Sequence, residues 1–498
     1  MQEVEIKFFI QPSSLKAVSN AVSPPGSPRR QRLRAQYFDT PDRDLATRRA
    51  ALRLRLEGRA WVQTFKMAGD HVLERIELNH PRPGPSLDLS VYADTPAQAV
   101  IEACGDRLAV RYETDVLRAT RLIKTRGGSV ELAFDSGEIR AGGQRWPIQE
   151  LEFELKSGGI NSLFDLAHRW VRDHDLVLDL RSKSERGDGL ASLANGGQTL
   201  AAMEAAVWPK APTLEDSQGK RATWGYFLQT IAGSVETLFR NTAALARFGT
   251  ELPEGGGEHA AALFKVLVSW DAACRLFPDV AQAGFVDLVL DVEPLVNELR
   301  PYLRSHIAAT KLEPLYEELG LAPALRSKPV QLDLRALLSA RDFQAWQLTV
   351  LAWLLGCGSL ESDLKEAASL DKLLRRLYPS LKKWQKNLYN RLAAYGALSS
   401  TDKFKVRRTL ERLDHSAFLL QGVIKPESHQ RIAAVFQDIL ERLAQLEALS
   451  HTMLRWRGDE QPTPQIWFAL GWATAKQAAL VQEVQTLAEA VRRLDWRR

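Results

Sequence analysis

What this 498-residue chain lacks narrows its possibilities first. It has three cysteines, Cys104, Cys274 and Cys357, far apart and in no CxxC pair. That excludes a disulfide framework and a thiolate zinc site, and it fits a reducing compartment. There is no GxSxG elbow, no GxxxxGK[ST] loop and no HExxH pair, so serine-hydrolase, P-loop and zincin chemistry are not indicated. The longest uncharged apolar run, Leu348 to Leu360, is shorter than the ~18 to 20 residues that a membrane-spanning helix needs. It reads as a buried helix, and no membrane partner is expected. Charge appears by the third residue, with no basic segment leading into an apolar core, so a cytoplasmic location is expected rather than a secretory leader. Nor does one sign of charge dominate: 66 basic residues face 61 acidic ones, similarly balanced in both halves. Any affinity for a polyanion must therefore come from local clusters.

What is present divides in two. Up to about residue 195 the chain is rich in short runs of period two (VEIKF, LRLRLE, WVQTFK, ERIEL, SVELAFD, ELEFEL), separated by Gly/Pro/Asn-containing connectors. Period two means strands. Beyond the polar, glycine- and proline-containing stretch after Asn195, long segments of helical period take over. These patterns predict an α+β chain of two domains: a β-rich domain at 1–200, a linker at 201–213 and an all-α bundle at 214–498.

The strands repeat one peculiarity. Glu3, Glu5 and Lys7 share one face of the first strand, Glu150, Glu152 and Glu154 share another, and Arg53 and Arg55 a third, with Lys66, Arg75 and Glu77 on nearby strands. Taken one at a time, such strands fit an antiparallel sheet with one wet face. But like charges two residues apart repel unless something compensates them. Closed into a barrel with these faces inward, the sheet becomes a tunnel with a carboxylate sector and a guanidinium sector. Carboxylates suit a hard divalent cation, and arginine forks and lysine suit phosphate oxygens, so a metal-bound triphosphate satisfies both.

In this order, ExExK at Glu3, Glu5 and Lys7, RxR at Arg53 and Arg55, Lys66 after WVQTF, RxE at Arg75 and Glu77, and the late ExE at Glu152 and Glu154 resemble the CYTH superfamily, the triphosphate tunnel metalloenzymes. The likeness covers about residues 1–190. It implies an eight-stranded antiparallel tunnel in which Glu3, Glu5, Asp135, Glu152 and Glu154 bind Mg²⁺ or Mn²⁺. Substrate would be held by Lys7, Arg53, Arg55, Lys66, Arg75, Arg118, Lys183 and Arg186, the last two from RSKSERG. Glu5, Lys7, Arg53, Arg55 and Lys66 would carry the chemistry.

The helical half resembles the CHAD domain, a module of two four-helix units associated with polyphosphate. The pattern of histidine and basic residues that this implies is altered around His259 and better kept in DKFKVRRTLERLDHSAFL, where Phe404 stands at the leading histidine's place. From Lys372 to Thr401 there are seven basic residues and no acidic one. An interleaved solvated face would carry both signs, so Lys382, Lys383 and Lys386, with Lys405, Arg408 and Arg412 further on, are expected to contact long-chain polyphosphate. Trp384, Tyr389 and Tyr395 are read as core rather than base-stacking residues, and nucleic acid is not an expected partner.

The expected function is metal-dependent hydrolysis of tripolyphosphate to pyrophosphate and phosphate, with an appended polyphosphate-binding domain. Two alternatives stand beside it: adenylate cyclase or thiamine triphosphatase chemistry in the same tunnel, and a non-catalytic polyphosphate-binding or granule-associated role.

Overall fold

The computed structural model describes residues 2–24, 30–69, 73–193, 204–211, 222–278, 281, 284–360, 370–458 and 463–496. Of the expected linker, 201–213, only 204–211 falls among them. The chain forms two compact units. The first comprises Met1–Ala205 with Thr242–Gly255 and Leu334–Gly356, and the second Ala206–Asn241, Gly256–Asp333 and Cys357–Arg498.

The first unit is built on the strands β1 (Gln2–Ile10), β2 (Gln31–Asp39), β3 (Ala50–Glu57), β4 (Ala60–Ala68), β5 (Glu74–Arg82), β6 (Ala109–Lys124), β7 (Gly128–Ala141), β8 (Gln144–Gly158) and β9 (Leu176–Leu178). Eight of them form an antiparallel barrel in the order β5-β4-β3-β2-β6-β7-β8-β1. Closure comes from β1, whose Gln2 to Val4 pair with Ile76 to Glu74 of β5. The other end of the same edge is taken by β9, with Phe8 opposite Leu178.

The alternation seen in the sequence is turned inside out relative to an ordinary small barrel. Over most of the barrel the charged parity points in, and many of the outward apolar residues are covered by helices. Ile6, Phe8, Leu132, Leu151 and Phe153 are fully buried on the outside. Phe8 and Phe153 meet edge to face at 5.3 Å, and Phe153 then meets Trp170 of the helix α4 (Asn161–His174) at 5.9 Å. Helix α1 (Leu15–Val22) packs on β6 and β7. On the opposite wall Leu52 and Phe65 pack with Leu45 of α2 (Asp44–Thr47), Tyr92, and Ile101 and Cys104 of α3 (Gln98–Cys104). Burying a side chain such as Phe or Leu stabilises by about 1.5–3 kcal/mol, so this outer jacket holds a barrel whose interior cannot. A further helix, α5 (Lys183–Ser192), is capped by Ser182, whose Oγ accepts from Glu185 N at 3.1 Å.

Helix α6 (Ala222–Phe248) contributes to both units, and α10 (Leu334–Ser339) and most of α11 (Arg341–Leu360) belong to the first. The second unit is all-helical among its described residues. With α6 it contains α7 (Gly257–Leu276), α8 (Phe285–Asp291), α9 (Glu293–Glu318), α12 (Leu370–Ala393), α13 (Ser400–Leu419), α14 (Pro426–Arg457) and α15 (Pro464–Arg492). Helix α13 packs on α7, α12 and α14, and α14 also on α9 and α15. Val406, Leu410, Leu413 and Ala417 form its buried face, as the helical period of that segment predicts.

Candidate active site

Strand register sets the site. Glu5 lies opposite Glu154 and Lys7 opposite Glu152 on β8, Asp135 of β7 opposite Glu150, and Arg118 of β6 opposite Asp135. Across the barrel Tyr37 faces Arg53, Ala51 faces Lys66, Lys66 faces Glu77, and Glu3 faces Arg75. Residues directly opposite share a face, so all of these point into the tunnel.

The carboxylates and cations are interleaved. Lys66 Nζ donates to Glu3 Oε2 at 2.9 Å and also reaches Glu77, while Arg53 comes within 3.9 Å of Glu77. Lys7 pairs with Glu5. Arg118 holds Asp135 in a fork, with Nε donating at 2.7 Å and Nη2 at 2.6 Å, and Nη2 also reaches Glu152 at 2.6 Å. From α5, Lys183 bonds Asp135 at 2.6 Å, Glu152 at 2.9 Å and Glu150, and Arg186 bonds Glu150. Arg55 pairs with Glu57, and Arg75 Nη1 donates to the backbone oxygen of Glu74 at 2.9 Å.

The electrostatics show how tightly the charges are balanced. Burial raises the Glu152 carboxyl, but Lys183, Arg118 and Lys7 outweigh it and leave its pKa well below the ordinary value. For Asp135 burial is likewise overcome by Arg118 and Lys183, and for Glu5 by Lys7. Glu3 goes the other way. Burial, then its hydrogen bond with Glu77, push it up to about 7 despite Lys66. Burial and the neighbouring Arg53 bring Arg55 down to about 10.

Asp135, Glu150 and Glu152 each offer a carboxylate oxygen, all within 4.8 Å of one another. An all-oxygen, anionic donor set of this kind fits a hard divalent cation such as Mg²⁺ or Mn²⁺. Glu150 was not among the metal-ligating residues expected from the sequence. Of the expected ligands Asp135 and Glu152 belong to this trio, while Glu3, Glu5 and Glu154 lie outside it; Glu154 faces Glu5 across the β1–β8 pair and bonds Lys156 at 2.7 Å, near Glu131.

The tunnel is asymmetric. At the Glu154 end its inward residues meet solvent. At the other, Tyr37, Tyr112, Ile139, Trp146 and Ile148 have the inward parity and none is more than 6% exposed. Tyr37 stacks on Tyr112 at 4.7 Å, and α5 crosses this end over β6, β7 and β8.

The sequence-predicted basic residues of the helical unit are less concerted. Lys383 and Lys386 are exposed on α12, but Lys382 Nζ donates to the backbone oxygen of Leu494 at 2.8 Å. Lys405 bonds Asp402 at 3.2 Å, Arg408 bonds Glu293 at 3.1 Å, and Arg412 lies over the Trp384 ring at 5.6 Å. The cleft lined by Arg408 and Arg412 also has Arg275 and Arg300, opposed by Asp271, Glu293 and Glu411. In the core, Glu411 joins Arg300 at 2.9 Å and Arg304 at 2.6 Å, and His415 Nδ1 lies 3.0 Å from Ser269 Oγ.

A closed antiparallel barrel with an ionic interior defines a tunnel-type domain, and residues 1–187 match the CYTH domain family. The chain is similar, at 34% identity over 163 residues, to an inorganic triphosphatase of Haemophilus influenzae; the match takes in 31% of this chain and 45% of the relative, so the chain spans less than half of that protein's length. Among solved structures it resembles the CHAD domain of the plant Ricinus communis (17% identity, 59% of this chain and 97% of that one, TM-score 0.40). It also resembles a candidate adenylate cyclase from Bacillus halodurans (18% identity, 37% of this chain and 96% of that one, TM-score 0.28). No helix among the described residues is long and apolar enough to cross a membrane.

Proposed function

We propose that the chain is an inorganic triphosphatase that hydrolyses tripolyphosphate to pyrophosphate and phosphate, dependent on Mg²⁺ or Mn²⁺, with a helical domain of the CHAD type that binds long polyphosphate. The observation that carries the first part is the interleaving of Lys7, Arg53, Lys66, Arg118 and Lys183 with Glu3, Glu5, Asp135, Glu150 and Glu152 inside a closed barrel. The similarity to a protein named an inorganic triphosphatase supports the same reading.

In that reading each cation exchanges a carboxylate oxygen for a phosphate oxygen as substrate enters. Arg53, Arg55 and Lys66 on one wall and Lys7, Arg118 and Lys183 on the other then neutralise the charge spread over the transferring phosphoryl group and the departing pyrophosphate. Asp135, Glu150 and Glu152, with Glu3 and Glu5, would hold the divalent ion. When bound, such an ion neutralises phosphate charge and lowers the pKa of water. The jacketed barrel keeps these groups in place before substrate arrives, so little reorganisation is needed during the reaction.

The test is phosphate release from tripolyphosphate, ATP, thiamine triphosphate and long polyphosphate, each with Mg²⁺, Mn²⁺ or chelator. Tripolyphosphate should be turned over fastest and only with metal. Faster formation of cyclic AMP from ATP, or release of phosphate from thiamine triphosphate at a higher kcat/KM, would replace this reading. Absence of turnover with tight polyphosphate binding would favour the non-catalytic role.

A further inference from the structure

The helix that brings Lys183 and Arg186 to the tunnel has only ten residues, and helices of that length are marginal alone, so its position depends on what fastens it. Its N-terminal half is tied to tunnel carboxylates that substrate and metal would engage. Its C-terminal half is tied elsewhere. Asp188, 7% exposed, accepts from Arg43 Nε at 3.2 Å, from Arg43 Nη2, and from Arg111 Nε at 2.8 Å. Arg111 Nη2 also donates to Ser192 Oγ at 2.7 Å, one turn on. Arg43 precedes α2 and holds φ at 63°, a left-handed backbone conformation that costs a non-glycine residue energy, and Arg111 belongs to β6. Beside Asp188, Gly187 lies on the Tyr112 ring so closely that a Cβ would stand 2.3 Å from Cδ2. The seat has no room for a Cβ, and the clasp on Asp188 stands one residue along.

Arginine–carboxylate forks are strong and directional, which suits a clasp better than a general attraction. A lysine side chain is flexible, so the reach of Lys183 toward a bound phosphate is set by where its backbone is held. We propose that Asp188 is a positioning residue for the tunnel reaction: clasped by Arg43 and Arg111, it holds α5 across the closed end, and so fixes where Lys183 stands and how far a phosphate chain can enter. The inference rests on the triphosphatase reading, but part of its test does not.

The experiment uses the full chain with Asp188→Asn, with Asp188→Glu and Arg111→Gln beside it. Asp188→Asn should raise KM for tripolyphosphate about tenfold while kcat stays within about threefold, because phosphate binding is weakened in ground and transition states together. The ratio of kcat/KM for long polyphosphate to that for tripolyphosphate should rise, and Asp188→Glu should recover part of the KM. Amide hydrogen exchange over 183–192 should quicken about tenfold or more in Asp188→Asn, with the strands unchanged. If Asp188→Asn does not fold, Arg111→Gln, which removes one arm, should show the same changes more weakly. Unchanged KM, substrate ratio and α5 exchange would overturn the proposal, as would a lower melting temperature with those three unaltered. Wild-type protein without tripolyphosphate turnover would sink the triphosphatase reading instead, and the exchange measurement would then decide the clasp by itself.

Discussion

The two units of this protein bury charge for opposite ends. In the barrel, at least ten ionisable groups line one cavity and exchange partners across it, Lys183 alone touching Asp135, Glu150 and Glu152. In the helical unit Glu411 is shared by Arg300 and Arg304, and Lys405 and Arg408 answer to local partners while Lys383 and Lys386 stand exposed. A buried pair gains little over apolar packing, yet leaving one partner behind is costly. The barrel's network is a set of partners shared across one cavity, in keeping with the proposed entry of a polyanion. That of the bundle is closed, and its consequence is stability.

The comparison breaks most visibly at Glu411. Its replacement by alanine leaves Arg300 with Asn297 and Arg304 with the more distant Glu447, and should cost about 3 kcal/mol, read as an earlier denaturant transition of the helical unit, while turnover below that transition stays near wild type. A loss under about 1 kcal/mol would mean that water already reaches the pair.

A smaller effect concerns the surface of the same unit. If the exposed part of α12 contacts long polyphosphate, Lys383→Glu with Lys386→Glu should weaken its binding to the full chain about tenfold at low salt, with KM for tripolyphosphate unchanged and binding falling steeply as salt rises. Binding that is insensitive to both the reversal and salt would leave α12 as a solvated face.

A third effect depends on pH and is confined to the bundle. Burial holds His415 down to about 4, so between about 6.5 and 4 the unfolded chain binds a proton that the folded chain does not. Stability from this residue is therefore present above about 6.5 and is lost as pH falls through that window. Asp414 beside it, raised by burial to about 6, acts in the opposite sense, because it loses stability as pH rises from its ordinary value. The informative quantity is therefore the difference between wild type and His415→Asn, which should shrink as pH falls. A difference independent of pH would contradict it.

How much of this was legible in the sequence follows from which forces are local. Parity is local: ExExK, RxR and the late acidic run announce inward faces, and the barrel forms as they require. Which two of Glu150, Glu152 and Glu154 stand with Asp135 is not local, since period two treats all three alike. The answer lies in the β7–β8 register, where Asp135 meets Glu150, Ala133 meets Glu152 and Glu131 meets Glu154. The same limit hides the closed end of the tunnel, made by α5 and by Tyr37 with Tyr112, residues far apart in sequence. It also hides Lys382, whose charge is spent on a carbonyl oxygen more than a hundred residues away.

The central claim, that the Asp135–Glu150–Glu152 cluster and not the whole late acidic run carries the proposed reaction, is tested most directly by Glu152→Gln against Glu154→Gln, each assayed for tripolyphosphate hydrolysis at saturating Mg²⁺. Glu152→Gln should lower kcat by about a hundredfold or more, the scale on which losing one preorganised electrostatic group is felt, whereas Glu154→Gln should stay within about threefold of wild type. Equal losses in the two, or a larger one at Glu154, would contradict the account.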